Sequence, residues 1–167
     1  MSAFQRVVAV SVIVGAAACA TSGVNAGTSS SGTPRWTGSF KQSQMASSAV
    51  ITGGIQSTRS AYGDITITTV DTIQGRSTVD LNVNTPMVGG TQLAWAVFTG
   101  PCGSPTPPVT GLNEFPTIEV TSGGARMRLD VHFALRRGTE YHANVYNSNR
   151  ASDVSNVMMC APLSSSR

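Results

Sequence analysis

The feature that most constrains this chain is a period of two. Between Trp36 and Cys160, apolar residues recur at alternate positions in short runs, and glycines cut the runs apart. Val79, Leu81 and Val83 alternate with Asp80, Asn82 and Asn84. Met127, Leu129, Val131, Phe133 and Leu135 alternate with Arg126, Arg128, Asp130 and His132. An extended backbone sends successive side chains to opposite faces, so this spacing suits half-buried strands and no amphipathic helix. The residue types agree: Thr, Val, Ser and Gly abound, while Lys41 is the single lysine. Candidate strands are 36–42, 48–53, 64–70, 77–84, 92–99, 117–121, 125–135, 140–147 and 155–160. The expectation is an all-β fold, an antiparallel β-sandwich of about eight to nine strands.

Three further readings refine that layout. Arg136-Arg137-Gly138 suits a three-residue hairpin loop, which would join 125–135 to 140–147 with Tyr141, Ala143 and Val145 inward and His142, Asn144 and Tyr146 outward. The segment QLAWAVFT at 92–99 is apolar on both faces, which predicts a central strand with Trp95 in the core. Residues 100–116 hold five of the eight prolines and read as a long crossing loop, because proline cannot donate to a ladder.

The first 18 residues read as an address. Arg6 precedes an apolar stretch, Val7 to Ala18, too short to cross a bilayer but suited to a signal h-region. Ala16-Ala17-Ala18-Cys19 resembles a lipobox, in which the cysteine becomes the lipidated mature N-terminus. Ordinary cleavage after Ala26 is the alternative, and it would discard Cys19. The Thr/Ser/Gly/Asn-rich stretch that follows, up to residue 34, reads as a flexible tether. The organisation expected is therefore a signal at 1–18, a lipidated Cys19 and tether at 19–34, and one domain at 35–167. The implied location is the bacterial cell envelope, with the membrane as partner through the lipid on Cys19. With Cys19 so used, Cys102 and Cys160 remain, an even number in an oxidising compartment, which predicts one disulfide.

Two resemblances arise from these residues. The order of a Trp-containing strand, a Gly-Pro-Cys-Gly loop, a late pair of strands and a C-terminal strand carrying Cys resembles the Cu/Zn superoxide dismutase sandwich and the related chordin domain. The resemblance spans roughly 77–162 in layout and implies a Greek-key arrangement, immunoglobulin-like or superoxide dismutase-like. The dismutase copper ligands do not carry over: Trp95-Ala96-Val97-Phe98 stands where that family has a His-x-His pair. The segments LAWAVFTGPCG and YHANVYNSNRASDVSNVMMC resemble more closely a group of bacterial lipoproteins with no established activity.

Candidate sites are few. In the expected hairpin, His132 and His142 would lie directly opposite each other on the outward face, where two imidazoles could share Zn or Cu with Asp130 or Asn144 nearby. Arg126, Arg128, Arg136 and Arg137 would line the same hairpin, offset only by Asp130 and Glu140, and could meet an anionic glycan or an envelope protein. Nucleic acid is not expected, since no aromatic stacking platform accompanies the charge. No Gly-x-Ser-x-Gly elbow, phosphate loop or dinucleotide fingerprint is present, and no cofactor is implied. The leading expectation is a non-catalytic binding or structural domain of an envelope lipoprotein. A His132/His142 metal-binding protein and a secreted periplasmic hydrolase are the alternatives.

Overall fold

A computed structural model describes residues 32–42, 61–151 and 156–166. The leader, Cys19, most of the tether and the candidate strand at 48–53 lie outside the described residues. Among the described residues there are nine strands: β1 Arg35–Gln42, β2 Tyr62–Asp71, β3 Arg76–Asn84, β4 Gln92–Leu93, β5 Trp95–Thr99, β6 Ile118–Glu119, β7 Gly124–Val131, β8 Tyr141–Tyr146 and β9 Val157–Ser166. The fold is all-β, as the alternation predicts. Seven strands form one curled antiparallel sheet in the order β5-β8-β9-β1-β2-β3-β7, and β4 pairs with β6 in a second small sheet.

The curl brings two limbs of the sheet around one core. Trp36, Phe40, Ile65, Ile67, Val79, Leu81 and Val83 fill it from β1, β2 and β3, and Trp95, Val97, Ala143, Val145, Met159 and Ala161 fill it from β5, β8 and β9. Each fully buried Val, Leu, Ile, Phe or Met side chain among them contributes roughly 1.5–3 kcal/mol. Trp95 also satisfies its one polar atom: Nε1 donates to the Pro116 carbonyl at 2.8 Å, and the ring meets Phe115 edge-on at 5.0 Å. The apolar run 92–99 is not one central strand as expected: it breaks at Ala94, where the chain leaves the small sheet, and β5 then forms an edge of the large one.

The expected hairpin between 125–135 and 140–147 does not form. β7 pairs with β3 at one edge of the sheet, and β8 pairs with β5 and β9 near the other. The reason is a match of faces. β7 carries one polar face and so does β3; Thr78 Oγ1 donates to Asp130 at 2.7 Å, and Arg128 stands 3.7 Å from Asp80. β8 is buried along its whole length, so it needs neighbours on both edges and cover on both faces. Regular pairing in β7 ends at Val131; Phe133 and Leu135 stay in the core while the chain crosses from one edge to the other. The Ser77 hydroxyl anchors that crossing by donating to the Phe133 carbonyl at 2.7 Å, and Tyr141 Oη accepts from the Arg136 N–H at 3.0 Å.

The last strand is longer than its sequence suggests. β9 runs on through Pro162 to Ser166 between two strands, pairing with β8 from Val157 to Leu163 and with β1 from Met159 to Ser166. Cys102 and Cys160 are disulfide-bonded with Cα atoms 6.0 Å apart, across a sequence separation of 58. The disulfide ties the proline-rich loop to β9. That loop also runs along the edge of β5, where Val109 donates its N–H to the Val97 carbonyl at 2.9 Å and Pro108 bridges to Phe98. An otherwise open strand edge is thereby covered.

Candidate functional site

Two places on the molecule gather polar chemistry. The first is the outer face of β1, β2, β3 and β7, continued by the end of β9. Because side chains alternate, the residues opposite the core ones line up in rows across the strands. One row runs Asp130, Thr78, Thr68, Arg35 and Ser166; the next runs Arg128, Asp80, Thr66, Thr37 and Ser164; a third runs Arg126, Asn82, Asp64 and Ser39. Hydrogen bonds run both along and between the rows. Asn82 Nδ2 donates to Asp64 at 3.2 Å, and Arg35 Nη2 donates to Thr66 Oγ1 at 3.5 Å. Tyr62, 60% exposed, stands beside Asn84 at one end of the face.

Two shallow depressions mark this face, of about 440 and 540 Å³. Asp64 borders both, with Thr37, Ser39 and Thr66 in one and Asp80, Asn82 and Arg126 in the other. The charges in these three rows cancel, Arg35, Arg126 and Arg128 against Asp64, Asp80 and Asp130, and Lys41 on the same face of β1 leaves one positive charge over. This corrects the expectation that Arg126, Arg128, Arg136 and Arg137 share a face offset only by Asp130 and Glu140. Arg126 and Arg128 point outward from β7 among aspartates of the neighbouring strands, whereas Arg136 and Arg137 lie on the crossing segment beyond β7. The sequence could not place Asp64 and Asp80 beside them, since alternation gives a strand's face and not its neighbour.

The second place is under the disulfide-tied loop. His142 and Asn144 lie two residues apart on one face of β8, and both are buried, at 0% and 6% exposure. In register, Phe98 and Pro162 flank His142, and Ala96 and Cys160 flank Asn144. The imidazole stacks on Phe98 with centroids 5.3 Å apart, and its Nδ1 lies 2.8 Å from the Gly100 carbonyl oxygen. Burial pushes the His142 pKa down from 6.5, against the opposing pull of the Gly100 bond and the Glu140 carboxylate. Burial also raises the Tyr146 pKa, partly offset by a hydrogen bond from the Asn144 side chain.

The expected His132/His142 pair is therefore not assembled. His132 is exposed, just past the end of β7, with Nδ1 3.2 Å from Glu114. His142 stands opposite Phe98 and Pro162, not His132, because the two strands belong to opposite ends of the sheet. The expected outward exposure of His142, Asn144 and Tyr146 also fails, since all three are buried. Among the described residues, no group of three His, Cys, Asp or Glu side chains could hold a metal ion, and no helix is long and apolar enough to cross a membrane. No protein-family model, curated protein or solved structure matches this chain.

Proposed function

We propose that this chain is a non-catalytic binding domain, exported to the bacterial envelope and held there by a lipid on Cys19, and that its ligand is a neutral polysaccharide. The observation that carries the ligand class is the nearly charge-balanced, hydroxyl-rich outer face of β1, β2, β3 and β7. A polyol presents closely spaced donors and acceptors and no net charge. Rows of carboxylate, amide, guanidinium and hydroxyl groups on a stiff sheet supply the complementary set, and charge-assisted hydrogen bonds are the strong ones. The near balance argues against an anionic polymer, which would meet the aspartates of these rows as well as their arginines.

Support for export comes from the h-region at Val7 to Ala18, the lipobox-like residues before Cys19 and the disulfide, since such bonds persist in oxidising compartments. The loop-to-last-strand disulfide is also the feature that carries the resemblance to superoxide dismutase-like sandwiches, without that family's copper ligands. Affinity electrophoresis of the full chain through gels holding dextran, a neutral β-glucan or alginate tests the ligand class. Retardation by a neutral polymer is expected. Retardation by alginate alone, or by none of them, sinks the proposal. Fatty-acid labelling of wild type against Cys19→Ala tests the anchor separately, and an unlabelled wild type refutes it.

A further inference from the structure

The buried pair on β8 poses a chemical question. The Gly100 carbonyl can only accept, so His142 Nδ1 must carry the proton that joins them. The ring is neutral once buried, which leaves Nε2 a bare lone pair. Nε2 lies on the ring edge away from Gly100, is buried, and has no protein partner. Two residues along the same face, Asn144 Oδ1 is also buried without a protein partner. The strand thus places two unpartnered acceptors on one covered face. Buried acceptors are rarely left unpaired.

We propose that His142 Nε2 and Asn144 Oδ1 form an internal site for one hydrogen-bond donor of the size of water, and that the Cys102–Cys160 disulfide keeps it closed. A single water can donate one hydrogen to each acceptor. Their Cα atoms stand roughly 7 Å apart on one face of an extended strand, a span suited to such a bridge. A metal ion fits less well: it would find one imidazole nitrogen and one amide oxygen, and no third protein ligand of the usual kinds among the described residues. The cover belongs to the site. Gly100, which fixes the tautomer, stands two residues before Cys102, and Cys160 is the cross-strand neighbour of Asn144. One disulfide therefore ties the segment over the ring to the strand beside the amide. This site is independent of the polar outer face, which lies on the other limb of the sheet.

The test uses the full wild-type chain. Long-range nitrogen NMR reads the His142 tautomer, and water relaxation dispersion reads slowly exchanging internal water, in the oxidised and the reduced protein. The expected result is an Nδ1-protonated ring with Nε2 accepting, and a long-lived water that is lost from the slow population when the disulfide is reduced. A ring protonated on Nε2, or a direct bond from the Asn144 amide to Nε2, overturns the site. A slow water unchanged by reduction overturns the closure. The Asn144→Leu variant adds a second readout: with its other acceptor removed, the Nε2 resonance should move toward that of an unbonded nitrogen. An unmoved resonance counts against a shared occupant.

Discussion

The His142 imidazole donates to the Gly100 carbonyl at 2.8 Å, and this bond joins the buried face of β8 to the loop that the disulfide ties down. Its first consequence is a pH dependence. The folded state holds the His142 pKa below 6.5, so the unfolded chain binds this proton first as pH falls. Stability contributed by the neutral ring is full above pH 6.5 and is lost as pH drops from there toward the lower folded pKa. One such proton sets a slope of at most about 1.4 kcal/mol per pH unit. Urea unfolding of wild type and His142→Gln between pH 5 and 7.5 should show a shallower slope in the variant. Parallel slopes would remove His142 as the cause.

Removing the disulfide should cost roughly 2–5 kcal/mol, from the freed loop closure and from loosened cover over His142 and Asn144. Reduced protein, or the Cys102→Ser/Cys160→Ser double variant, should unfold at lower denaturant. The His142 carbon resonances should also titrate closer to pH 6.5. A large stability loss with unchanged His142 titration would show that the loop stays in place without its covalent tie.

Gly38 on β1 packs against Pro162 and Leu163 of β9 with no room for a side chain. A Cβ there would stand 2.8 Å from both Leu163 Cδ2 and the Pro162 carbonyl oxygen. The side chain could turn aside, but the backbone oxygen cannot without shifting the strand. Gly38→Ala should destabilise by about 1–3 kcal/mol through overpacking. Circular dichroism melts would check it, and an unchanged midpoint would mean that β9 yields easily.

Arg128 and Asp80 offer the opposite case. The pair is exposed and 3.7 Å apart. Arg128→Ala should change stability by less than about 1 kcal/mol, as exposed ion pairs do. A substantially larger loss would mean that the polar face is structural before it is a binding surface.

How much of this was legible beforehand differs from residue to residue. The alternation of Val79, Leu81 and Val83, and of the β7 side chains, gave the faces correctly, because period two is a property of the backbone. The disulfide followed from parity and compartment. Strand neighbours did not follow. A short loop signal at Arg136-Arg137-Gly138 pointed to a hairpin, yet Phe133 and Leu135 were needed in the core on the way across. The end of β9 was hidden because Pro162 and three serines read as a tail, while the pairing of Ser164 with Thr37 is set by tertiary contact. Burial of His142 and Asn144 was hidden for a related reason. Polar side chains alternating with apolar ones signal a wet face, and only the cover by a distant loop dries it. The disulfide itself was the one available hint that something lies over β9 and its neighbour.

Asp64 stands at the junction of the two depressions on the outer face of β1, β2, β3 and β7, where the proposed neutral glycan would bind. The most direct measurement is an NMR titration of the full chain with oligosaccharides of a retarding neutral polymer, repeated on Asp64→Ala. Binding at this face should give shifts clustered on Thr37, Asp64, Thr66 and Asn82. Affinity should be about tenfold weaker in the variant, the loss of one charge-assisted hydrogen bond of about 1.4 kcal/mol. Shifts confined to the proline-rich loop or the crossing segment, or an affinity unchanged by Asp64→Ala, would contradict the proposal.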